Sequence, residues 1–243
     1  MQLLLGSSFF KDSFNNLKEV SIGDGVTTIY NSMFRYCSAD KIVIPNTITR
    51  IEPLAFADCS NLVDIETSEG VTYIGEEAFM NCLKLKKISI SKNNIEYIGT
   101  GAFKGCSELE EVILPEIYSG TTINDYFGGM IFQDCVKLKK IAIPEGFKSI
   151  GFNDFKGCSS LTEVTIPESM ISIEENAFQD CSNLMEIILP ENLTVIDGEA
   201  FKNWISSQTI YVKAFSSKAE SNENGHFHEG WSGNATVKWK GEF

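Results

Sequence analysis

Cysteine has the widest chemical repertoire of the residues in this chain, and all seven cysteines follow one spacing pattern. Cysteine can form disulfides, bind zinc or act as a nucleophile. An odd number of cysteines cannot pair completely, and no C-x-x-C motif or nearby histidine provides a zinc spacing. We therefore favour a set of small buried thiols with a structural role. They are Cys37, Cys59, Cys82, Cys106, Cys135, Cys158 and Cys181.

The two histidines lie close together near the C-terminal end of the chain. His226 and His228, with Glu223 and Glu229 nearby, could hold a metal ion, but their spacing matches no defined metal-binding family. We therefore predict no metal and no cofactor. The sequence also contains no Ser/His/Asp arrangement and no phosphate-binding loop, which predicts a protein without catalytic residues.

A three-part motif sets the positions of the cysteines: a phenylalanine, a cysteine three residues later, and a leucine three residues after that. It appears as Ala55-Phe56-x-x-Cys59-x-x-Leu62 and recurs along the chain. The anchor phenylalanines, which begin with Phe10 and Phe34, follow one another at 22 to 24 residues, except for one interval of 29. A period in this range is typical of a solenoid of stacked units. The later anchors are Phe56, Phe79, Phe103, Phe132, Phe155, Phe178 and Phe201.

Each repeat also carries the pattern of two short strands. The stretch Leu85-x-x-Ile88-x-Ile90 has the branched residues and the alternation of a strand, and in several repeats a proline follows it. A second apolar pair, such as Val71-x-x-Ile74, comes next. We expect the glycines after this pair, Gly75, Gly99 and Gly151, to permit a left-handed turn. The following Glu-Glu-Ala-Phe segment is predicted to form a single helical turn.

Stacked repeats would place equivalent strands side by side, about 4.8 Å apart. Equivalent cysteines would then point in the same direction at a spacing larger than the usual Cβ separation of a disulfide, about 3.8 Å. The solenoid therefore predicts reduced thiols. We expect residues 1–205 to form an array of eight to nine repeats of about 23 residues, the first one incomplete. Residues 206–243 are expected to form a C-terminal strand and an aromatic cap.

Composition excludes several classes of protein. The net charge of −13 argues against binding to nucleic acid, because phosphate contacts need clustered Lys and Arg. No apolar run approaches the roughly 18 residues of a membrane span. The first residues, Gln2–Gly6, match the middle of a repeat and follow no basic segment. We therefore hypothesise that Met1 begins a fragment from which upstream sequence has been removed.

The phrase A-F-x-x-C-x-x-L-x-x-I-x-I-P followed by I-G resembles the BspA-type leucine-rich repeats over roughly residues 2–214. The resemblance implies a β-rich, right-handed leucine-rich-repeat superhelix, with a parallel β-sheet on one face and short helical or 3-10 turns on the other. That family consists largely of secreted or surface proteins. The resemblance therefore implies a monomeric, non-catalytic extracellular or cell-surface scaffold that binds a protein or glycan partner on another cell or in a matrix. The alternative is a passive spacer in a larger surface protein.

The surface of the repeats offers candidate positions for such a partner. On the outward strand face, lysine and glutamate alternate between repeats, and we favour cross-strand charge pairing as the explanation. The 29-residue interval contains an insertion within residues 116–130, and insertions in solenoids often carry binding. The alternative interpretation of the insertion is a tolerated loop that packs against the body of the solenoid. The candidate aromatic residues of this insertion are Tyr118, Tyr126 and Phe127.

Two further sets of aromatic residues are weaker candidates for binding a partner. Tyr73 and Tyr97 occupy the same repeat position and could contact a partner, although simple ladder stacking is the favoured interpretation. The aromatic residues after Ser206 are interpreted as part of the cap, and carbohydrate binding is the alternative.

Overall fold

Two short strands from most repeats build two sets of parallel sheet. A computed structural model describes residues 17–66, 70–90, 95–116, 128–223 and 226–243. The main-sheet strands are β1 (Glu19–Ser21), β3 (Lys41–Val43), β5 (Asp64–Glu66), β7 (Lys87–Ser89), β9 (Glu111–Ile113), β10 (Lys140–Ala142), β12 (Glu163–Thr165), β14 (Glu186–Leu189), β16 (Thr209–Val212) and β17 (Thr236–Trp239). The second-sheet strands are β2 (Thr28–Ile29), β4 (Arg50–Ile51), β6 (Tyr73–Ile74), β8 (Tyr97–Ile98), β11 (Ser149–Ile150), β13 (Ser172–Ile173) and β15 (Val195–Ile196).

The main sheet joins equivalent strands of successive repeats. Seven strands pair in the order β1-β3-β5-β7-β9-β10-β12, and β14-β16-β17 form a further set of three, all parallel. The register pairs Ile88 with Val112 and Ile187 with Ile210, so the branched residues of the strand pattern all face the core. The predicted parallel-strand solenoid is confirmed.

The anchor phenylalanines form one continuous column through the core. From Phe34 to Phe201, neighbouring ring centroids lie 5.2 to 5.6 Å apart and the ring planes differ by 5 to 15°. All of these anchors except Phe34 are completely buried. Because each ring is covered by its neighbours along the column, no repeat can bury its own anchor alone.

The segment around each anchor consists of tight turns. The residues two before and two after an anchor are left-handed, as Leu54 (φ 60°) and Asp58 (φ 61°) are around Phe56. A helical turn needs consecutive right-handed residues, so these positions interrupt it. The Phe56 N–H instead donates to the Ala78 carbonyl of the next coil at 2.8 Å. The helical turn predicted for the Glu-Glu-Ala-Phe segment is therefore absent. Alternate N–H groups donate to the next coil, and those between them donate within the coil, as the Ala57 N–H does to the Leu54 carbonyl at 3.1 Å.

The glycines after the second strand allow two coils to approach each other closely. The left-handed turn expected at Gly75, Gly99 and Gly151 is wrong, since none of them has a positive φ. A Cβ atom on Gly75 would lie 2.4 Å from the backbone nitrogen of Pro53 in the preceding coil. One on Gly99 would lie 2.5 Å from the backbone nitrogen of Glu76. Glycine is required there for space and not for its dihedral freedom.

The described strands of the second sheet fall into two groups. Strands β2-β4-β6-β8 form one group and β11-β13-β15 form the other. Residues 117–127 of the long repeat, which lie between the two groups in sequence, are outside the described residues.

The C-terminal segment continues the sheet and covers the last anchor. Helix α1 (Lys218–Glu223) precedes a turn that places Phe227 and Trp231 in the core, and β17 then pairs with β16. The Trp231 ring lies edge-on to Phe201 at 5.9 Å. No helix in the part of the chain that the structure describes is long and apolar enough to cross a membrane.

Candidate functional site

The cysteines form a column of buried thiols beside the anchors. Cys106 Sγ donates to the carbonyl oxygen of Phe79, one coil earlier, at 3.1 Å. Cys59, Cys82, Cys135, Cys158 and Cys181 make the same contact at 3.0 to 3.2 Å. At the end of the column, Trp204 Nε1 donates to the carbonyl oxygen of Phe178 at 2.9 Å. The position therefore calls for a side-chain donor, because buried carbonyl groups need partners.

Burial controls the acidity of these thiols. Desolvation disfavours the thiolate and raises the pKa of Cys82, Cys135, Cys158 and Cys181 above the ordinary thiol value. All seven cysteines are free and buried. Since the thiolate is both the nucleophile and the metal ligand, a buried neutral thiol of this kind is chemically inert.

Thiol reagents are therefore expected to react slowly with the native protein. A water-soluble aromatic disulfide reagent, followed by absorbance, should modify the native thiols only as fast as the solenoid opens. The same reagent in denaturant should titrate seven thiols per chain, which provides the control. Rapid modification of several cysteines without denaturant would contradict a sealed thiol column.

Tyr73 and Tyr97 stack on each other on the second sheet. Their ring centroids lie 4.8 Å apart with planes 15° apart, and the Arg50 guanidinium lies 3.8 Å from the Tyr73 centroid. The register makes Arg50 and Tyr97 the two strand neighbours of Tyr73. The contacting ring faces are occupied by these neighbours. A partner would therefore meet the ring edge and the hydroxyl group of Tyr73.

The candidate residues of the insertion, Tyr118, Tyr126 and Phe127, lie outside the described residues. By sequence spacing, Tyr126 stands six residues before Phe132, as Tyr97 stands six residues before Phe103. Tyr126 thus shares the repeat position of the stacked tyrosines.

The first position of the main-sheet strands carries charges of alternating sign. Lys87 Nζ lies 2.9 Å from a Glu111 carboxylate oxygen, and Lys140 forms an ion pair with Glu163. These side chains are more than half exposed, so each pair adds only about 0–1 kcal/mol. The pairing largely neutralises the field above this part of the sheet. The ladder runs through Glu19, Lys41, Asp64, Lys87, Glu111, Lys140 and Glu163.

A strip of uncharged side chains runs beside this ladder. We call it the neutral strip. It consists of the third residue of β9, β10, β12 and β14, which faces outward in each strand: Ile113, Ala142, Thr165 and Ile188. One depression of about 470 Å³ contains Ile113 and Ala142 in its lining, and another of about 300 Å³ contains Ile188. Ile188 is 52% exposed. The strip thus offers apolar contact area in shallow hollows.

A buried carboxyl group accepts two backbone hydrogen bonds beside the long repeat. In a regular coil, the Gly75 N–H donates to the Ile51 carbonyl of the preceding coil at 2.7 Å. The equivalent Gly151 N–H donates to Asp154 Oδ2 at 2.6 Å, and the Ile131 N–H donates to Asp154 Oδ1 at 3.1 Å. Asp154 is completely buried, and this burial raises its pKa to about 7. The carboxyl group of Asp154 thus links its own coil to the backbone directly before Phe132.

Sequence reasoning missed both the neutral strip and Asp154. The signal for Asp154 was present, because it stands directly before an anchor where most repeats have alanine. The signal for the strip was weaker, since isoleucine in a strand is ordinarily assigned to the core.

The two histidines contact different groups. His228 Nδ1 lies 3.4 Å from Asp197 Oδ1, and the His226 ring stacks on Phe215 with centroids 5.7 Å apart. Within the described ranges, no three His, Cys, Asp or Glu side chains are grouped so that they could hold a metal ion.

Comparison with solved structures supports the fold. A leucine-rich repeat protein from Bacteroides ovatus is 26% identical with a TM-score of 0.75, covering 92% of this chain and 55% of that one. One from Eubacterium ventriosum is 25% identical with a TM-score of 0.58, covering 67% and 42%. The T. pallidum leucine rich repeat protein is 27% identical with a TM-score of 0.62, covering 69% and 78%. The chain thus spans about half the length of the first two proteins.

Comparison with protein families assigns the repeat type. None of the curated proteins matches the chain. The BspA type leucine rich repeat region matches in six copies over residues 4–127 and 121–227, which is most of the sequence. The chain therefore belongs to the BspA-type leucine-rich repeat family.

Proposed function

We propose that this protein is a secreted or cell-surface scaffold that binds a protein partner through the outward face of its main sheet. The observation that carries the proposal is the neutral strip with its two depressions beside a self-paired charge ladder. Membership of a family of bacterial repeat proteins supports the surface location.

The surface favours a large partner over a small ionic ligand. Charges that are already paired attract a charged ligand weakly, so binding depends on contact area and shape. The depressions are shallow, and the lining of one contains the exposed apolar side chain of Ile188. Apolar area surrounded by a polar rim is the usual composition of a protein interface.

The insertion is proposed to add a second contact region. Residues 116–130 follow β9, the first strand of the neutral strip, and supply Tyr118, Tyr126 and Phe127. Aromatic side chains of this kind contribute contact area at a low cost in conformational entropy.

The substitution Ile188→Glu tests the proposed face. Binding should first be established on an array of matrix proteins and glycans. We expect Ile188→Glu to weaken any protein binding by tenfold or more, because it places a charge within the apolar contact, at the most exposed isoleucine of the strip. Its effect on folding should be small, since the side chain is already largely exposed.

The matched control is Ile171→Glu, since Ile171 is 42% exposed and directly precedes the second-sheet strand β13. This variant should bind normally. Equal binding by both variants would rule out the neutral strip as the contact surface. The absence of any binding on the array would instead favour the passive spacer.

A further inference from the structure

The C-terminal end of the solenoid contains a half-open cavity of about 450 Å³, separate from the main-sheet face. Helix α1, the turn that contains Trp231, and β17 surround it. Its volume falls within the range of about 300–1,000 Å³ that is usual for small-molecule sites. The repeat motif does not account for this cavity.

The cavity lies against the inward face of β17. In β16, the inward residues Ile210 and Val212 are completely buried. Their register partners in β17 are Val237 and Trp239, which line the cavity and are only partly buried. The core face of the sheet thus becomes accessible at this end.

Aromatic rings form the apolar wall of the cavity. Phe227 and Trp231 lie edge-on to each other at 5.2 Å, and only 3% and 4% of their surfaces are exposed. Trp231 also packs edge-on against the last anchor, Phe201. Trp239 completes the wall with its ring 6.5 Å from Phe227. Because the rings of Phe227 and Trp231 are packed into the core, this wall is already formed in the absence of a ligand.

The polar rim of the cavity carries balanced charge. Lys218 and Glu229 contribute one positive and one negative group. His228 also lines the cavity, and its Nδ1 lies 3.4 Å from Asp197 Oδ1, which is outside the lining. The whole chain has a net charge of −13, so a balanced rim differs from the rest of the surface. An anion would meet Glu229 and a cation would meet Lys218, which leaves an uncharged ligand as the best match.

We propose that this cavity binds an uncharged pyranose. A pyranose ring has an apolar C–H face that suits the indole of Trp239 and hydroxyl groups that suit Lys218, Glu229 and Ser232 on the rim. A purely apolar ligand would leave those rim groups without partners. The site is independent of the neutral strip and goes beyond the proposed protein-binding function.

Tryptophan fluorescence of the whole chain tests the proposal. Two of the three tryptophans line the cavity, whereas Trp204 is buried in the core. We expect a saturable change in fluorescence with at least one of glucose, galactose, mannose and N-acetylglucosamine. Glucosamine, a cation, and glucuronate, an anion, should bind more weakly than their neutral counterparts.

Substitutions at Trp239 locate the site. Trp239→Ala should weaken binding about tenfold or more, and Trp239→Phe should keep most of it, because the ring face is what stacks on the sugar. Phe243→Ala is the control, since Phe243 is 54% exposed and packs on Tyr211 on the other face of the sheet. Thermal denaturation of each variant separates a loss of binding from a loss of folding.

Several results would overturn the proposal: no saturable response to any of the four neutral sugars, equal binding by a folded Trp239→Ala variant, or equal affinity for charged and neutral sugars. Ile188→Glu should leave sugar binding unchanged, so the pyranose site and the protein-binding face can fail independently.

Discussion

Replacing Phe103 with alanine is expected to lower the free energy of unfolding by about 3–5 kcal/mol. Phe103 is completely buried in the middle of the anchor column, with ring centroids of Phe79 at 5.4 Å and Phe132 at 5.6 Å. The substitution leaves a cavity that the two neighbouring coils cannot close, because their backbones are hydrogen-bonded to the altered coil. Urea denaturation followed by circular dichroism measures the loss.

The effect of Phe103→Ala should also reach beyond one repeat. A solenoid is stabilised by contacts between neighbours, so a weakened central interface can let its two halves unfold separately. The control is Phe152→Ala, because Phe152 is 40% exposed and lies outside the column; this variant should lose about 1 kcal/mol or less. An unchanged denaturation midpoint for Phe103→Ala would count heavily against the stacked column.

Replacing Asp154 with alanine is expected to cost about 2–6 kcal/mol, although the residue contributes nothing to the apolar core. The substitution leaves the N–H groups of Gly151 and Ile131 buried without their acceptor. Each buried unsatisfied group costs about 1–3 kcal/mol. Urea denaturation at pH 5 measures the loss. The control Glu145→Ala removes an exposed carboxylate and should change the stability by about 0.5 kcal/mol or less.

The same carboxylate predicts a pH dependence of stability. Burial raises the pKa of Asp154 from 3.8 to about 7, and the nearby Glu174 carboxylate acts in the same direction. The folded state therefore holds more protons than the unfolded state between about pH 4 and 7, and the free energy of unfolding falls as the pH rises through this range. The contribution is fully present below about pH 4 and is lost above about pH 7.

Asp154→Asn isolates this pH dependence, because asparagine does not titrate and the other ionisable groups are shared. The stability of the wild-type protein relative to the Asn variant should decline from pH 4 to 7. A relative stability that rises over this range would show that the hydrogen bonds to the carboxylate outweigh its desolvation.

Much of the fold could be predicted from the sequence because a solenoid repeats one short pattern. The spacing of phenylalanine, cysteine and leucine indicated the stack, the parallel strands and the positions that face the core. This information is local, since each repeat displays the same apolar positions and needs a neighbour of the same kind to cover them. The parallel stack could be predicted without knowing which atoms are in contact.

The tertiary structure decided everything that depends on the distance between two coils. Gly75 is required because a backbone nitrogen of the preceding coil would meet its Cβ atom, and its own dihedral angles are ordinary. The thiol of Cys106 donates to a carbonyl group 27 residues away. Neither contact is visible within one repeat. The helical turn was mispredicted for the same reason, because hydrogen bonds to the next coil compete with those inside the turn.

The candidate sites also divide into those that the sequence predicts and those that only the tertiary structure shows. The sequence by itself determined the repeat class, the parallel stack and the insertion at 116–130, because period and composition are properties of the chain alone. Only the tertiary structure revealed the neutral strip, the Asp154 carboxylate and the aromatic cavity. Each of these depends on how residues of neighbouring coils meet in space, which the pattern of one repeat does not contain.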